Sequence, residues 1–177
     1  MKFIETKIKG AFIIVPDLIE DDRGFFARSF CQHEFEEHGL NPDLVQCNIS
    51  FNRKKATLRG MHYQVPPHSE VKLVRCTSGA ICDVLIDLRP ESSTFKQWFA
   101  AELSEDNHQL LYIPEGFAHG YQTLEDSTEV FYQVSAFYEP KSERGIRWND
   151  PAFRIEWPFP VSIISKKDSS HPDWEAK

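Results

Sequence analysis

Apolar residues along this chain fall mostly into short runs that alternate with polar ones, a period of two rather than the three-and-four spacing of a helix. Such runs, rich in Val, Ile, Phe and Tyr, occupy residues 11–15, 24–30, 44–51, 57–64, 71–77, 80–88, 95–103, 108–113, 120–124 and 128–136. Turn-forming groups such as "DDRG", "TSGA", "RPESS", "SEDN", "PEG" and "EDS" separate them. One segment, "CQHEFEEHGL" at 31–40, reads as a helix, with Gly39 as its stop. About ten short strands and a single helix predict an all-β fold, an antiparallel sandwich or closed barrel, and a jelly roll fits best. From Arg147 onward, "RWNDPAFRIEWPFP" is rich in Pro and Trp and lacks a period, so it is expected to wrap over the barrel without adding strands. No repeat, low-complexity tract or linker interrupts the pattern, and residues 1–177 read as one domain.

Composition narrows the function classes. A net charge of −7 argues against a general nucleic-acid or acidic-membrane binder, which needs a basic surface. A small anion remains a candidate ligand wherever a few Arg and Lys converge. The 14 Phe favour broad packed faces or a stacking pocket. Cys31, Cys47, Cys76 and Cys82 form no CxxC spacing and are expected to stay reduced. The opening "MKFIETKIKG" lacks an uninterrupted apolar segment, and runs such as "AFIIV" are too short to cross a bilayer, so the expected location is cytoplasmic.

Three stretches hold candidate chemistry. In "VKLVRCTSGAICDVLIDL", 71–88, Ser78-Gly79 has the character of a two-residue hairpin turn, which would place Lys72 diagonally from Asp83 on one face. That pair reads either as a salt bridge at a barrel mouth or as a lysine held to stabilise a developing oxyanion. In "IPEGFAHGYQ", the spacing Pro114, Gly116, His119 matches the second half of the cupin signature, where the histidine often binds metal. The first half would supply a histidine pair, but here the chain reads His62-Tyr63-Gln64, so the usual three ligands are not assembled. In "LRGMHYQ", Arg59 and His62 have opposite strand parity and face opposite sides, unless Gly60 marks a bulge that brings both into one pocket.

Taken jointly, "DDRGFF", "VQCNIS", "LRGMHYQ", "VKLVRC", "DVLIDLR", "IPEGFAHGY", "FYQVSAFYEP", "WNDP" and "SKKDSSHP" resemble, in this order and over nearly the whole chain, dTDP-4-dehydrorhamnose 3,5-epimerases. The resemblance implies a cupin jelly roll, a homodimer with strand exchange, no metal or organic cofactor, and a nucleoside-diphosphate-linked 4-keto-6-deoxyhexose as substrate. It implies His62 as base, Asp168 as the carboxylate orienting it, Tyr132 as acid and Lys72 as the cation beside the sugar oxygen. Matching substrate-binding positions are Arg23, Phe26, Arg28, Gln46, Asn48, Arg59, His119, Tyr138, Glu143 and Lys167. Among them Arg23 and Arg59 would hold the diphosphate, and Tyr138 would stack under the nucleobase.

Two positions depart from the family pattern. Arg28 stands where a glutamate usually reads the thymine edge, and it exchanges an acceptor for a donor-only group, so a base presenting acceptors, such as cytosine, becomes a candidate. Phe137 stands where a second tyrosine is frequent. Inversion at C3, at C5 or at both carbons is compatible with these residues. The competing readings are a metal cupin using His62, His119 and a carboxylate, and a non-catalytic cupin that binds a sugar nucleotide.

Overall fold

The computed structural model describes residues 1–174. In chain order its strands begin with β1 (Lys2–Glu5), β2 (Phe12–Val15), β3 (Ile19–Asp21) and β4 (Gly24–Phe26). Helix α1 (Gln32–Glu37) precedes β5 (Gln46–Asn52), β6 (Thr57–Gln64), β7 (Lys72–Ser78), β8 (Ala80–Asp87) and β9 (Trp98–Ser104). Next come β10 (Leu110–Ile113), β11 (Phe117–Thr123), β12 (Thr128–Val134), β13 (Glu143–Gly145), β14 (Ile163–Ile164) and α2 (Lys166–Ser169).

Two sheets form the barrel walls. One has the order β1-β2-β10-β7-β12-β5; the other has the order β13-β6-β11-β8-β9, with β14 joined parallel to β6. Between them lies the main core, where Val74, Cys76, Leu111 and Val130 from the first wall meet Ile81, Leu85, Leu103, Phe117 and Tyr121 from the second. This is the jelly roll that the strand pattern predicts, of the cupin type that the resemblance implies.

Several strands are buried on their outer faces too, which explains why they read as nearly continuous apolar runs. Phe35 of α1 packs with Ile14, Leu73, Leu110 and Tyr112 on the outside of the first wall. Phe153 and Ile146, with Ile155 and Trp157 beside them, cover Met61, Val84 and Ile86 on the outside of the second. The wrapping tail is therefore a structural lid on a sheet face. It also contributes the two residues of β14 and the helix α2, which the aperiodic sequence did not announce.

The expected hairpin pairing of Lys72 with Asp83 does not form. β7 hydrogen-bonds to β10 and β12, whereas β8 hydrogen-bonds to β11 and β9. Gly79, at φ +70°, turns the chain from one wall to the other, and a Cβ there would sit 2.7 Å from Thr128 Oγ1. The gain is hydrophobic: placed in opposite walls, Val74 and Cys76 face Ile81 and Leu85 across the core and bury one another. Lys72 instead meets Glu70 at 3.2 Å, and Asp83 meets His119. Smaller differences concern lengths: the run at 24–30 forms strand only over Gly24–Phe26, and α1 spans Gln32–Glu37 within the expected 31–40. β1, β3 and β13 are additional short strands.

Candidate active site

The site grows from a fault in the β6 ladder. His62 pairs with His119 and Arg59 with Tyr121, so Gly60 and Met61 together oppose the single Gly120. Two residues against one is a bulge, and it reverses the strand parity that would otherwise separate Arg59 from His62. Gly60 has φ +120°, and a Cβ on it would lie 2.6 Å from Gly120 Cα and 2.8 Å from the His119 carbonyl oxygen. Only glycine tolerates that backbone and that approach. Met61 is consequently driven into the outer core, and Arg59 and His62 both line one cavity of about 420 Å³.

Asp168 reaches the same place from the far end of the chain. Ser165 caps α2 by accepting the Asp168 backbone N–H at 3.0 Å, which fixes the first turn of the helix. The buried Asp168 carboxylate then lies 2.8 Å from His62 Nε2 through Oδ1 and accepts the Gly60 N–H at 3.1 Å through Oδ2. Burial alone would raise its pKa, but the bonds to His62 and Gly60 outweigh that and hold it below the usual carboxylate range. The result is a permanent anion beside an imidazole, suited to stabilising that ring when it carries a second proton.

Lys72 and Tyr132 enter from the opposite wall, on β7 and β12. Lys72 is largely buried and tied to Glu70. Burial, with help from the nearby Glu70 charge and against the pull of Arg59, pushes the Tyr132 phenol up, so it keeps its proton at neutral pH. On β11, His119 Nε2 lies 2.6 Å from Asp83 Oδ1, which turns this ring towards a carboxylate of its own and away from a shared metal set with His62. Arg59 is steered by donating from Nε to Asn52 Oδ1 at 2.8 Å and from its guanidinium to the Phe51 carbonyl at 3.3 Å.

A second hollow of about 290 Å³ adjoins the first, and His62, Lys72 and Tyr132 line both. Its other walls include Gln46, Asn48, Tyr138 and Glu143. Tyr138 donates to Glu143 Oε2 at 2.7 Å, Lys167 donates to Glu143 Oε1 at 2.6 Å, and the Tyr138 N–H donates to Gln46 Oε1 at 2.9 Å. Burial would raise the Glu143 pKa, yet these two donors hold it low. The three side chains shared by both hollows thus stand at the waist of one elongated cleft.

Of the residues singled out from sequence, His62, Lys72, Tyr132, Asp168, Arg59, His119, Lys167, Gln46, Asn48, Tyr138 and Glu143 all line this cleft. Arg23, Phe26 and Arg28 do not line either hollow of the chain. The β3–β4 hairpin that carries the first two pairs only with itself, though its Phe25 ring lies 4.7 Å from that of His108 ahead of β10, and Phe26 is 68% exposed. Arg28 lies 3.5 Å from Glu34 of α1. Sequence reasoning missed Asn52 and Ser165. An ST-type cap before "KKD" signalled Ser165, whereas nothing in the linear pattern marks Asn52 as the partner of Arg59.

The family model described as dTDP-4-dehydrorhamnose 3,5-epimerase matches residues 5–176. An enzyme of that name from Salmonella typhimurium is 45% identical over 174 residues, covering 97% of this chain and 94% of its own. The crystal structure of a Bacillus anthracis dTDP-4-dehydrorhamnose 3,5-epimerase with TDP and PPi bound superposes with a TM-score of 0.94 at 42% identity, covering 98% of this chain and 99% of its own. A Legionella pneumophila epimerase in complex with dTDP-4-keto-L-rhamnose gives 0.90 at 36% identity, with 99% of both chains covered. With sequence and fold in agreement over nearly its full length, this chain belongs to the dTDP-4-dehydrorhamnose 3,5-epimerase family, whose members are isomerases.

Proposed function

We propose that this enzyme inverts C3 and C5 of dTDP-4-dehydro-6-deoxyglucose to give dTDP-4-dehydrorhamnose. The observation that carries the reading is the waist of the cleft, where the His62–Asp168 pair on one wall opposes Tyr132 and Lys72 on the other. A ketone at C4 acidifies the hydrogens on both adjacent carbons. His62 removes one, and Asp168 stabilises the resulting imidazolium. Negative charge then develops on the C4 oxygen, where the Lys72 ammonium offsets it. Tyr132, held protonated by its surroundings, returns a proton to the opposite face of the carbon. Once His62 has released its proton to solvent and the Tyr132 phenolate has taken one up, repeating the cycle at the second carbon completes the conversion. The waist supplies a base, an acid and a charge stabiliser, which simple recognition of a sugar nucleotide would not require.

The nucleotide occupies the two arms of the cleft. Arg59 binds diphosphate oxygens, for which a guanidinium offers paired donors. Gln46, Asn48, His119, Glu143 and Lys167 position the sugar and nucleoside, and Tyr138 stacks with the base. Arg23, Phe26 and Arg28 complete the site from a second copy of the chain in a strand-exchanged homodimer. Two features support this assembly. The β3–β4 hairpin, paired with neither wall, exposes Ile19, Phe25 and Phe26, and β5, at the edge of its sheet, exposes Ile49 and Phe51. An unpaired edge with an apolar face is a template for an incoming strand. No helix among the described residues is long and apolar enough to cross a membrane, and we place the enzyme in the cytoplasm.

Incubation with dTDP- and CDP-linked 4-keto-6-deoxyhexoses in deuterated water tests the reading. Deuterium is expected at C3 and C5 of the dTDP sugar, read by NMR and mass spectrometry. No exchange with any 4-keto sugar nucleotide would overturn the assignment, and preference for the CDP sugar would trace to Arg28.

A further inference from the structure

One side chain beside the His62–Asp168 pair, lining neither hollow, has no part in the proton transfers described above. His171, just past α2, has its Nε2 buried without a hydrogen-bond partner. Its ring lies edge-on to that of His62, with centroids 6.2 Å apart, and its Nε2 is 4.0 Å from Asp168 Oδ1. The ring occupies space left open by Gly145, where a Cβ would fall within the imidazole itself. Gly145 pairs directly with His62 across β13 and β6, so His171 is seated against the strand position opposite the proposed base.

We propose that His62, Asp168 and His171 bind one divalent transition-metal ion of the Zn²⁺ class, and that its binding shuts the enzyme off. The inhibitory part rests on His62 being the base. Ligand atoms of the three side chains lie within 4.8 Å of one another. Ligands about 2.1 Å from a tetrahedral ion stand roughly 3.4 Å apart. The observed spacings to Asp168 Oδ1, 2.8 Å from His62 and 4.0 Å from His171, bracket that value. The third spacing, between His62 and His171, is at most 4.8 Å, so bringing all three to about 3.4 Å closes that separation by up to about 1.4 Å.

Two imidazoles and one carboxylate suit Zn²⁺, Co²⁺ and Ni²⁺ and disfavour Mg²⁺, which prefers oxygen ligands and retains its water. The carboxylate is already braced by the Gly60 N–H, the kind of outer bond that orients a metal ligand. The adjoining cavity leaves room for water in a fourth position. Lys167 is the cation nearby, and its charge is offset by Glu143 at 2.6 Å. Occupancy would engage the His62 Nε2 and Asp168 Oδ1 pair, leaving no dyad to take up the proton from the sugar.

The test uses the full chain after chelation. Co²⁺ binding is read from ligand-field absorbance, Zn²⁺ affinity from competition with a chromophoric chelator, and epimerase activity with Zn²⁺ or Mg²⁺ added. One equivalent of Co²⁺ should bind, Zn²⁺ should inhibit, and Mg²⁺ should not. His171→Ala and Gly145→Ala reach the ring from opposite sides. Each is expected to weaken metal binding at least about tenfold, a loss seen even when outer partners of metal sites are removed. The Zn²⁺ concentration for half-inhibition of His171→Ala should rise by the same factor, while its metal-free activity persists. Unchanged binding and unchanged Zn²⁺ sensitivity in both variants would overturn the site. His171-dependent binding that leaves the wild-type enzyme fully active would support the site but refute His62 as the base.

Discussion

Replacing Gly60 with alanine tests the link between backbone shape and chemistry most directly. At φ +120° an alanine is strained whatever surrounds it, at a cost on the order of 1–3 kcal/mol. The surroundings add to this. The new Cβ would stand 2.6 Å from Gly120 Cα and 2.8 Å from the His119 carbonyl oxygen, where carbon contacts normally settle near 3.5–4.0 Å. Both neighbours are backbone atoms, so β6 and β11 must separate by about an ångström. A total near 3 kcal/mol is expected, lowering Tm by roughly 6–12 °C for a chain of this size. Displacement of His62 by a similar distance should reduce turnover about a hundredfold.

The assay is calorimetric melting beside solvent-deuterium incorporation, measured well below the variant's Tm. Gly39→Ala is the control, since its φ of +69° is also left-handed but nothing lies within 4 Å of the new Cβ. That variant should lose about 1 kcal/mol and keep full activity. A Gly60→Ala enzyme that melts within 2–3 °C of the parent, or turns over at its rate, would refute the claim that this bulge positions the base.

Tyr132→Phe removes the proposed acid while leaving the base, so deuterium exchange should survive better than epimer formation; equal loss of both would count against these roles. Asp87, fully buried, has its pKa raised by burial but lowered more strongly by Arg89, Ser92 and Thr94, to about 2 against an ordinary 3.8. Its stabilisation is therefore complete above about pH 4 and lost as pH falls through about 2, roughly 2 kcal/mol in all. Acid titration monitored by denaturant melts should show that component, and Asp87→Asn should lack it. If the enzyme assembles as the dimer proposed above, Ile49→Lys, which places a charge on the exposed β5 edge, should convert it to a monomer in light scattering, with a matching fall in activity. An active Ile49→Lys monomer would overturn the shared site.

Local pattern revealed most of the barrel because each strand carries its own alternation and turn residues. The boundaries of β6 at 57–64 were legible for that reason. Pairing was harder. A short turn at Ser78-Gly79 suggests neighbouring strands, and nothing local says that β7 and β8 belong to opposite walls; the choice depends on the apolar faces that later strands present. Arg59 and His62 were ambiguous by parity, and Gly60 alone held the clue that the register breaks. Asp168 lies 106 residues from His62, so no spacing rule connects them, and family resemblance was needed to bring them together. Resemblance also marked Arg23, Phe26 and Arg28, which line neither hollow of their own chain and which the proposed dimer would bring to the partner's cleft.

The placement of Asp168 on α2 has a consequence for how the enzyme comes into being. A ribosome delivers His62, Lys72 and Tyr132 well before α2, which follows every strand of both walls. A nascent or stalled chain ending before Ser165 holds every strand of both walls while its imidazole still lacks a carboxylate. On the mechanism proposed above, such fragments would be catalytically silent. By the same mechanism, competence would arrive late in synthesis, when the α2 carboxylate meets both the ring and the Gly60 amide.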